Sequence, residues 1–232
     1  SIASTTGMSY LSSRFMSIGH SRLRQGVLRS RQRLRFGLFQ GRWSPMPDPT
    51  KPYDRDAMIA FAKDRASIKE QAKHAADAVL ENTWDTDVYP VDPYTIASKL
   101  NVDVLHAQIA GDVSGILRKR PLEKPQIYID SDDSRNRQRF TCAHELGHYV
   151  QSEQSGGIEE ADVSFIDRRG DLATQGNDLR EIFANEFAAN LLMPEVAVRS
   201  LRSLDMKIPE LARFFSVSPI SMEYRLQNLG IR

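Results

Sequence analysis

His144 and His148 constrain this chain more than any other pair of residues. They frame the run His144-Glu145-Leu146-Gly147-His148, an HExxH sequence. Residues four apart on an α-helix share a face, with Cβ atoms about 5–6 Å apart. Two imidazoles at that spacing reach one Zn²⁺ with N–Zn bonds of about 2.0–2.1 Å. The segment must therefore be helical if both rings serve one ion. Phe140, Ala143, Leu146, Gly147 and Val150 recur at helical spacing, so a helix over 136–151 lays one face on a core. Gly147 inside that helix costs roughly 1 kcal/mol relative to Ala. Close approach of another element over that turn accounts for it. Glu145 adjoins the first His and points beside the ion, where it can take a proton from an activated water. The bland alternative is two His on a solvated face.

A catalytic zinc site needs a third protein ligand and an open position. No His follows His148, which excludes a third His downstream; His20, His74 and His106 all lie upstream. A second helix, expected over 178–193 and stopped by Pro194, offers Asp178, Glu181 and Glu186. Glu181 and Asn185 are four apart and share a face. Glu186 lies about 140° round from Glu181, so both carboxylates cannot point at one ion. Glu181 is the expected metal ligand, with Asn185 supporting a ligand from outside. Glu186 is assigned to a solvated face. Cys142 reads as a small core residue, because neighbours two apart on a helix do not face each other.

The rest of the chain reads as α+β. Residues 55–82 repeat Ala, Ile, Val and Leu among charges with no Gly or Pro, which predicts a helix. Pro90 and Pro93 bracket a short helix ending near Leu100. Three strand-like runs follow, Val102–His106, Val113–Arg118 and Gln126–Ile129, punctuated by Gly111, Gly115 and Pro121 to Pro125. They predict a small, mostly antiparallel sheet packed on the HExxH helix. A polar loop is expected over 152–177. Two short helices, 208–215 and 219–228, close the chain in a pattern that fits a helix-turn-helix. DNA reading would need basic residues on the second of them. Pro219–Leu229 carries only Arg225 against Glu223, a poor footprint for nucleic acid.

Charge separates one end from the rest. The chain of 232 residues has 31 basic and 30 acidic side chains. Residues 1–47 hold eight Arg, no Lys and no acid, which leaves 23 basic against 30 acidic side chains beyond them, about −7. Residues 1–50 are therefore expected to be a disordered basic extension. An organelle transit peptide, a non-specific nucleic-acid tail and a non-native leader are the competing readings. No run approaches the roughly 18 apolar residues of a membrane span, so no membrane partner is expected. A lone Cys142 excludes a disulfide framework and fits a reducing, cytoplasmic setting.

Two stretches together carry a resemblance. They are Arg139-Phe140-Thr141-Cys142-Ala143-His144-Glu145-Leu146-Gly147-His148 and Glu181-Ile182-Phe183-Ala184-Asn185-Glu186-Phe187-Ala188-Ala189-Asn190-Leu191-Leu192-Met193-Pro194. They resemble the ImmA/IrrE family of zinc metallo-endopeptidases. Pro90–Ala97 and the ending at 211–230 are similar to that family too, so the resemblance covers 90–230. It departs at Phe183, where the family often has a second Glu. It implies a gluzincin-like site of two His and one Glu on Zn²⁺. Together with the charge split and the helical spacing, four segments are expected: the extension 1–50, an N-terminal helix 51–89, a zinc metallopeptidase core 90–200 and a helical pair 201–232. The resemblance also implies a helix-turn-helix repressor or antitoxin-like partner as substrate. In that chemistry Glu145 is the catalytic base, and later hands its proton to the leaving amine. Tyr128, Tyr149 and Arg139 are candidates for a second oxyanion donor, each with a structural role as the alternative. The Val113–Arg118 run is the candidate edge for a substrate strand. The competing function is a non-catalytic protein- or DNA-binding regulator whose zinc site is structural or vestigial.

Overall fold

The structure, a computed structural model, describes residues 55–85, 87–120, 122–154, 163–168 and 178–231. The basic extension expected over 1–50 lies outside the described residues. So does most of the stretch expected as a polar loop. The described residues are α+β. Seven helices among them are α1 (Arg55–Thr83), α2 (Pro93–Lys99), α3 (Arg135–Gln154), α4 (Leu179–Leu192), α5 (Glu195–Ser203), α6 (Ile208–Phe215) and α7 (Pro219–Asn228). Four strands are β1 (Asp103–Ala107), β2 (Val113–Lys119), β3 (Gln126–Asp130) and β4 (Val163–Arg168).

Apolar spacing explains the helical layer. Along α1, Ile68, Ala72, Ala75, Ala76 and Val79 return to one face, and all are buried. That face packs on α4, which in turn packs on α3. The α4 core is Phe183, Phe187, Leu191 and Leu192, each with no exposed surface. Asp178 starts α4 by accepting from the Arg180 amide at 2.8 Å.

The sheet runs in the order β1-β3-β2-β4. β2 is antiparallel to both neighbours, and β1 is parallel to β3. The mostly antiparallel expectation therefore holds, and α3 lies across β2 and β3. Two sequence expectations need correction. Val163–Arg168 falls inside the stretch expected as a polar loop, yet it forms β4 against β2. That pairing makes β2 an inner strand. The Val113–Arg118 run cannot be the free edge, because its backbone groups already bond β3 on one side and β4 on the other.

Gly147 marks a close meeting of α3 and α4. A Cβ built there would stand 2.9 Å from the Ala184 Cα and 3.2 Å from both the Ala184 carbonyl oxygen and Phe187 Cδ1. Backbone cannot yield as a flexible side chain can. Gly147→Ala is therefore expected to destabilise the fold by about 1–3 kcal/mol, as overpacking does. Helix propensity alone would predict a gain of about 1 kcal/mol. Denaturant unfolding decides between them; a variant as stable as the wild type contradicts the close contact.

The C-terminal helices pack by Leu211, Ala212, Phe215, Met222 and Leu226, all buried. Ser216 turns the chain between them in the left-handed region, φ 51°. Ser218 caps α7 by accepting from the Ser221 amide at 3.1 Å. Arg225 is only 2% exposed. It donates to the Met193 carbonyl at 3.0 Å and to Asn190 Oδ1 at 2.8 Å. The one basic side chain of α7 thus points into the protein, which removes it from any nucleic-acid face.

Candidate metal centre

α3 and α4 cross so that three side chains converge. His144 and His148 project from one face of α3, one turn apart, and both are buried. Their Nε2 atoms stand 3.0 Å from each other. Glu181, in the first turn of α4, sets Oε2 3.3 Å from His144 Nε2 and Oε1 3.2 Å from His148 Nε2. A tetrahedral ion with bonds of about 2.0–2.1 Å separates its ligand atoms by roughly 3.3 Å. The three distances match that spacing, and two imidazoles with a carboxylate are a donor set suited to zinc or a related divalent ion. Among the described residues this is the one group of His, Cys, Asp and Glu so arranged.

The surrounding groups set the protonation state that an ion requires. Asn185 Oδ1 lies 3.0 Å from His144 Nδ1. With an ion bound, an accepting amide oxygen there keeps the ring proton on Nδ1 and leaves the Nε2 lone pair to the metal; without one, a proton on Nε2 donates to Glu181 instead. Burial lowers the His148 pKa, helped by neighbouring His144 and opposed by the hydrogen bond to Glu181. Burial pushes the Glu181 carboxyl up, but the hydrogen bonds with His144 and His148 outweigh it and hold the pKa well below the usual carboxylate range. An ionised Glu181 beside a neutral His148 is the state ready to bind a cation.

A pH dependence follows. Unfolded, His148 titrates near its ordinary 6.5; folded, it resists the proton. Below that pH the unfolded chain gains a proton that the native chain refuses, so stability present at higher pH is lost on acidification. The metal-free protein is expected to melt progressively lower from about pH 7 to pH 5, with a shallower slope in His148→Gln. Equal slopes in the two proteins would contradict it.

Glu145 follows His144 directly in α3 and is not part of the triangle. Its side chain is fully buried. The carboxylate lies against β2, where a Cβ on Gly115 would come within 2.9 Å of Oε1. Gly115 is thus a site neighbour that the sequence reading passed over, although an isolated Gly in a strand pattern is a signal of close approach. Cys142 is buried and free, and burial pushes its thiol well up, the reverse of a ligating thiolate.

Other candidates fall elsewhere. Glu186 is not on a solvated face. Its carboxylate lies 3.6 Å from Arg225 Nη1 and from Lys69 Nζ, and accepts from Asn190 Nδ2 at 3.1 Å. Three helices meet there, which the sequence spacing of α4 alone could not show. Tyr128 donates to Gln126 Oε1 at 2.9 Å. Arg139 donates to the Ser216 and Val91 carbonyls at 3.2 and 2.6 Å, tying α3 to the α6–α7 turn. Burial pushes the Tyr149 hydroxyl up to about 12. His74 pairs with Glu70 on α1, and the His106 ring packs against Tyr94 at a tilt of 43°.

One curated relative, the "Uncharacterized immunity region protein 2" of Bacillus phage phi105, is 26% identical over 121 residues, covering 52% of this chain and 70% of that protein. A solved structure, a Mycobacterium tuberculosis transcriptional regulator, aligns at a TM-score of 0.48 and 16% identity. The alignment covers 71% of this chain and 51% of the regulator, so this chain spans about half the regulator's length. The peptidase family M78 model, described as the IrrE N-terminal-like domain, matches residues 97–227. That span contains both helices of the metal centre and all but the last residue of the C-terminal pair. The chain belongs to the IrrE N-terminal-like domain family of M78 peptidases.

Proposed function

We propose that the chain is a zinc-dependent endopeptidase that hydrolyses a peptide bond in a protein substrate. His144, His148 and Glu181 would hold the ion, in a gluzincin-like set of two His and one Glu. When bound, zinc supplies Lewis acidity, bringing the pKa of water towards about 7 and polarising a carbonyl oxygen. Glu145 takes the proton of the attacking water and returns it to the leaving amine nitrogen. Asn185 holds the His144 ring in the tautomer that offers Nε2.

The observation that carries this reading is Glu145. Its carboxylate is fully buried, follows the first His directly in α3 and is not one of the three side chains that converge. A structural zinc site takes four protein ligands and has no use for a base. Among the described residues three gather, not four. That favours the peptidase over a regulator with a structural ion. The substrate we propose is a helix-turn-helix repressor or antitoxin-like protein; the phage relative's immunity-region name is in keeping with it. The proposed setting is cytoplasmic, in keeping with one buried reduced thiol. No helix among the described residues is long and apolar enough to cross a membrane.

The test is cleavage. The zinc-loaded chain is incubated with a native extract of its source cells, and new protein N-termini are mapped by terminal labelling and mass spectrometry. New termini confined to a few proteins, and lost on chelation, are expected. An extract indistinguishable from the chelated control would sink the peptidase reading.

A further inference from the structure

Glu145 lies against an irregular point of the sheet. Residues Arg137, Thr141 and Glu145 are spaced by four along α3, so they form one stripe. All three meet the same short piece of β2. Arg137 donates from Nε and Nη2 to Ser114 Oγ, at 3.3 and 3.1 Å. Thr141 and Glu145 lie against Gly115. The strand is irregular at that point: Val113 pairs with Arg168 and Gly115 with Asp167, so Ser114 is an extra residue in the ladder. A bulge of this kind bends a strand and re-aims what it carries.

We propose that the Ser114–Gly115 bulge positions Glu145, with Gly115 the residue that leaves its carboxylate room. The inference rests on the peptidase reading of Glu145. The geometry is specific. A Cβ on Gly115 would stand 2.3 Å from Thr141 Cγ2, 2.9 Å from Glu145 Oε1 and 3.4 Å from Glu145 Cγ. Carbon atoms pack best at about 3.5–4.0 Å, so the first two contacts cannot persist. Thr141 Cγ2 is the end of a stiff β-branched side chain on a helix, so this contact costs stability. Glu145 Oε1 is the end of a flexible one. It can move, and moving it costs alignment of the base with no loss of fold. Ser114 serves the same purpose from the other side, by fixing Arg137 at the start of the stripe. Neither Ser114 nor Gly115 contributes an atom to the ligand triangle, so metal binding should not depend on them.

The two contacts can be separated by experiment. Gly115→Ala is compared with Gly115→Ala/Thr141→Ala, Thr141→Ala, Glu145→Gln and wild type, all loaded with zinc. Melting temperature, zinc content and turnover of a synthetic peptide spanning a mapped cleavage site are measured for each. Gly115→Ala alone is expected to melt several degrees lower. The double variant should recover most of that loss, because the Thr141 methyl is gone. Its kcat should nevertheless stay at least tenfold below that of Thr141→Ala, with KM within twofold and one zinc per chain, because the new methyl still displaces the carboxylate. Recovery of kcat together with melting temperature would make Gly115 a packing residue only and overturn the proposal. So would loss of zinc from the double variant. If the wild type shows no turnover that Glu145→Gln removes, the peptidase reading fails instead. A crystal structure of the double variant then decides: a displaced Glu145 carboxylate supports the seat, and an unmoved one overturns it.

Discussion

Glu145→Gln is expected to keep its metal and to lose about 10²–10⁴-fold in turnover, the range that general acid–base catalysis supplies. Gln has the size of Glu but cannot accept a proton at neutral pH. Glu145 is fully buried and stands outside the ligand triangle. The substitution therefore leaves all three ligands in place and fills the same volume. Elemental analysis and cleavage of a mapped substrate, run side by side, make the check. Loss of metal would show that Glu145 is a ligand. Full turnover with full metal would show that the proton goes elsewhere.

Glu181→Ala should have the opposite profile: metal affinity falls by about 100-fold or more, beyond the 10–100-fold typical for removing an outer partner of a ligand. The carboxylate spans both rings, one oxygen to each Nε2. Without it two imidazoles remain, too few for a stable site. Glu186→Ala is the control from the same helix. It removes the carboxylate that faces Arg225, which is almost fully buried. Met193 and Asn190 still accept from that guanidinium, but its buried charge loses its carboxylate partner, so a cost of about 1–3 kcal/mol of stability is expected, with the metal retained. Chelator competition gives the affinities and denaturant unfolding the stabilities. Metal retained in Glu181→Ala, or lost in Glu186→Ala, would move the third ligand.

What the sequence revealed follows from how local each feature is. His144 and His148 could be paired because helical spacing alone puts them on one face. The same rule separated Glu181 from Glu186. Gly147 announced the α3–α4 contact, since a helix interior tolerates Gly only for a reason. Non-local features stayed hidden. β4 is a short apolar run, Val163, Phe165 and Ile166, inside a polar stretch, and only pairing with β2 makes it a strand. That pairing also turned the expected edge strand into an inner one. α5 was missed because Pro194 reads as a stop, whereas it ends α4 and begins the next helix. Glu186 read as solvated because its partners, Lys69 and Arg225, come from the two ends of the described chain. That Glu145 lies against an irregular point of β2 depends on the register with β4, which spacing along one segment cannot supply.

The most direct test is metal stoichiometry. The wild-type chain is purified, loaded with zinc, freed of excess by gel filtration and analysed for metal, with His148→Gln alongside. One zinc per wild-type chain and much less than one in the variant are expected. A well-folded wild type that retains no zinc would contradict the three-ligand centre, and with it the chemistry assigned to Glu145.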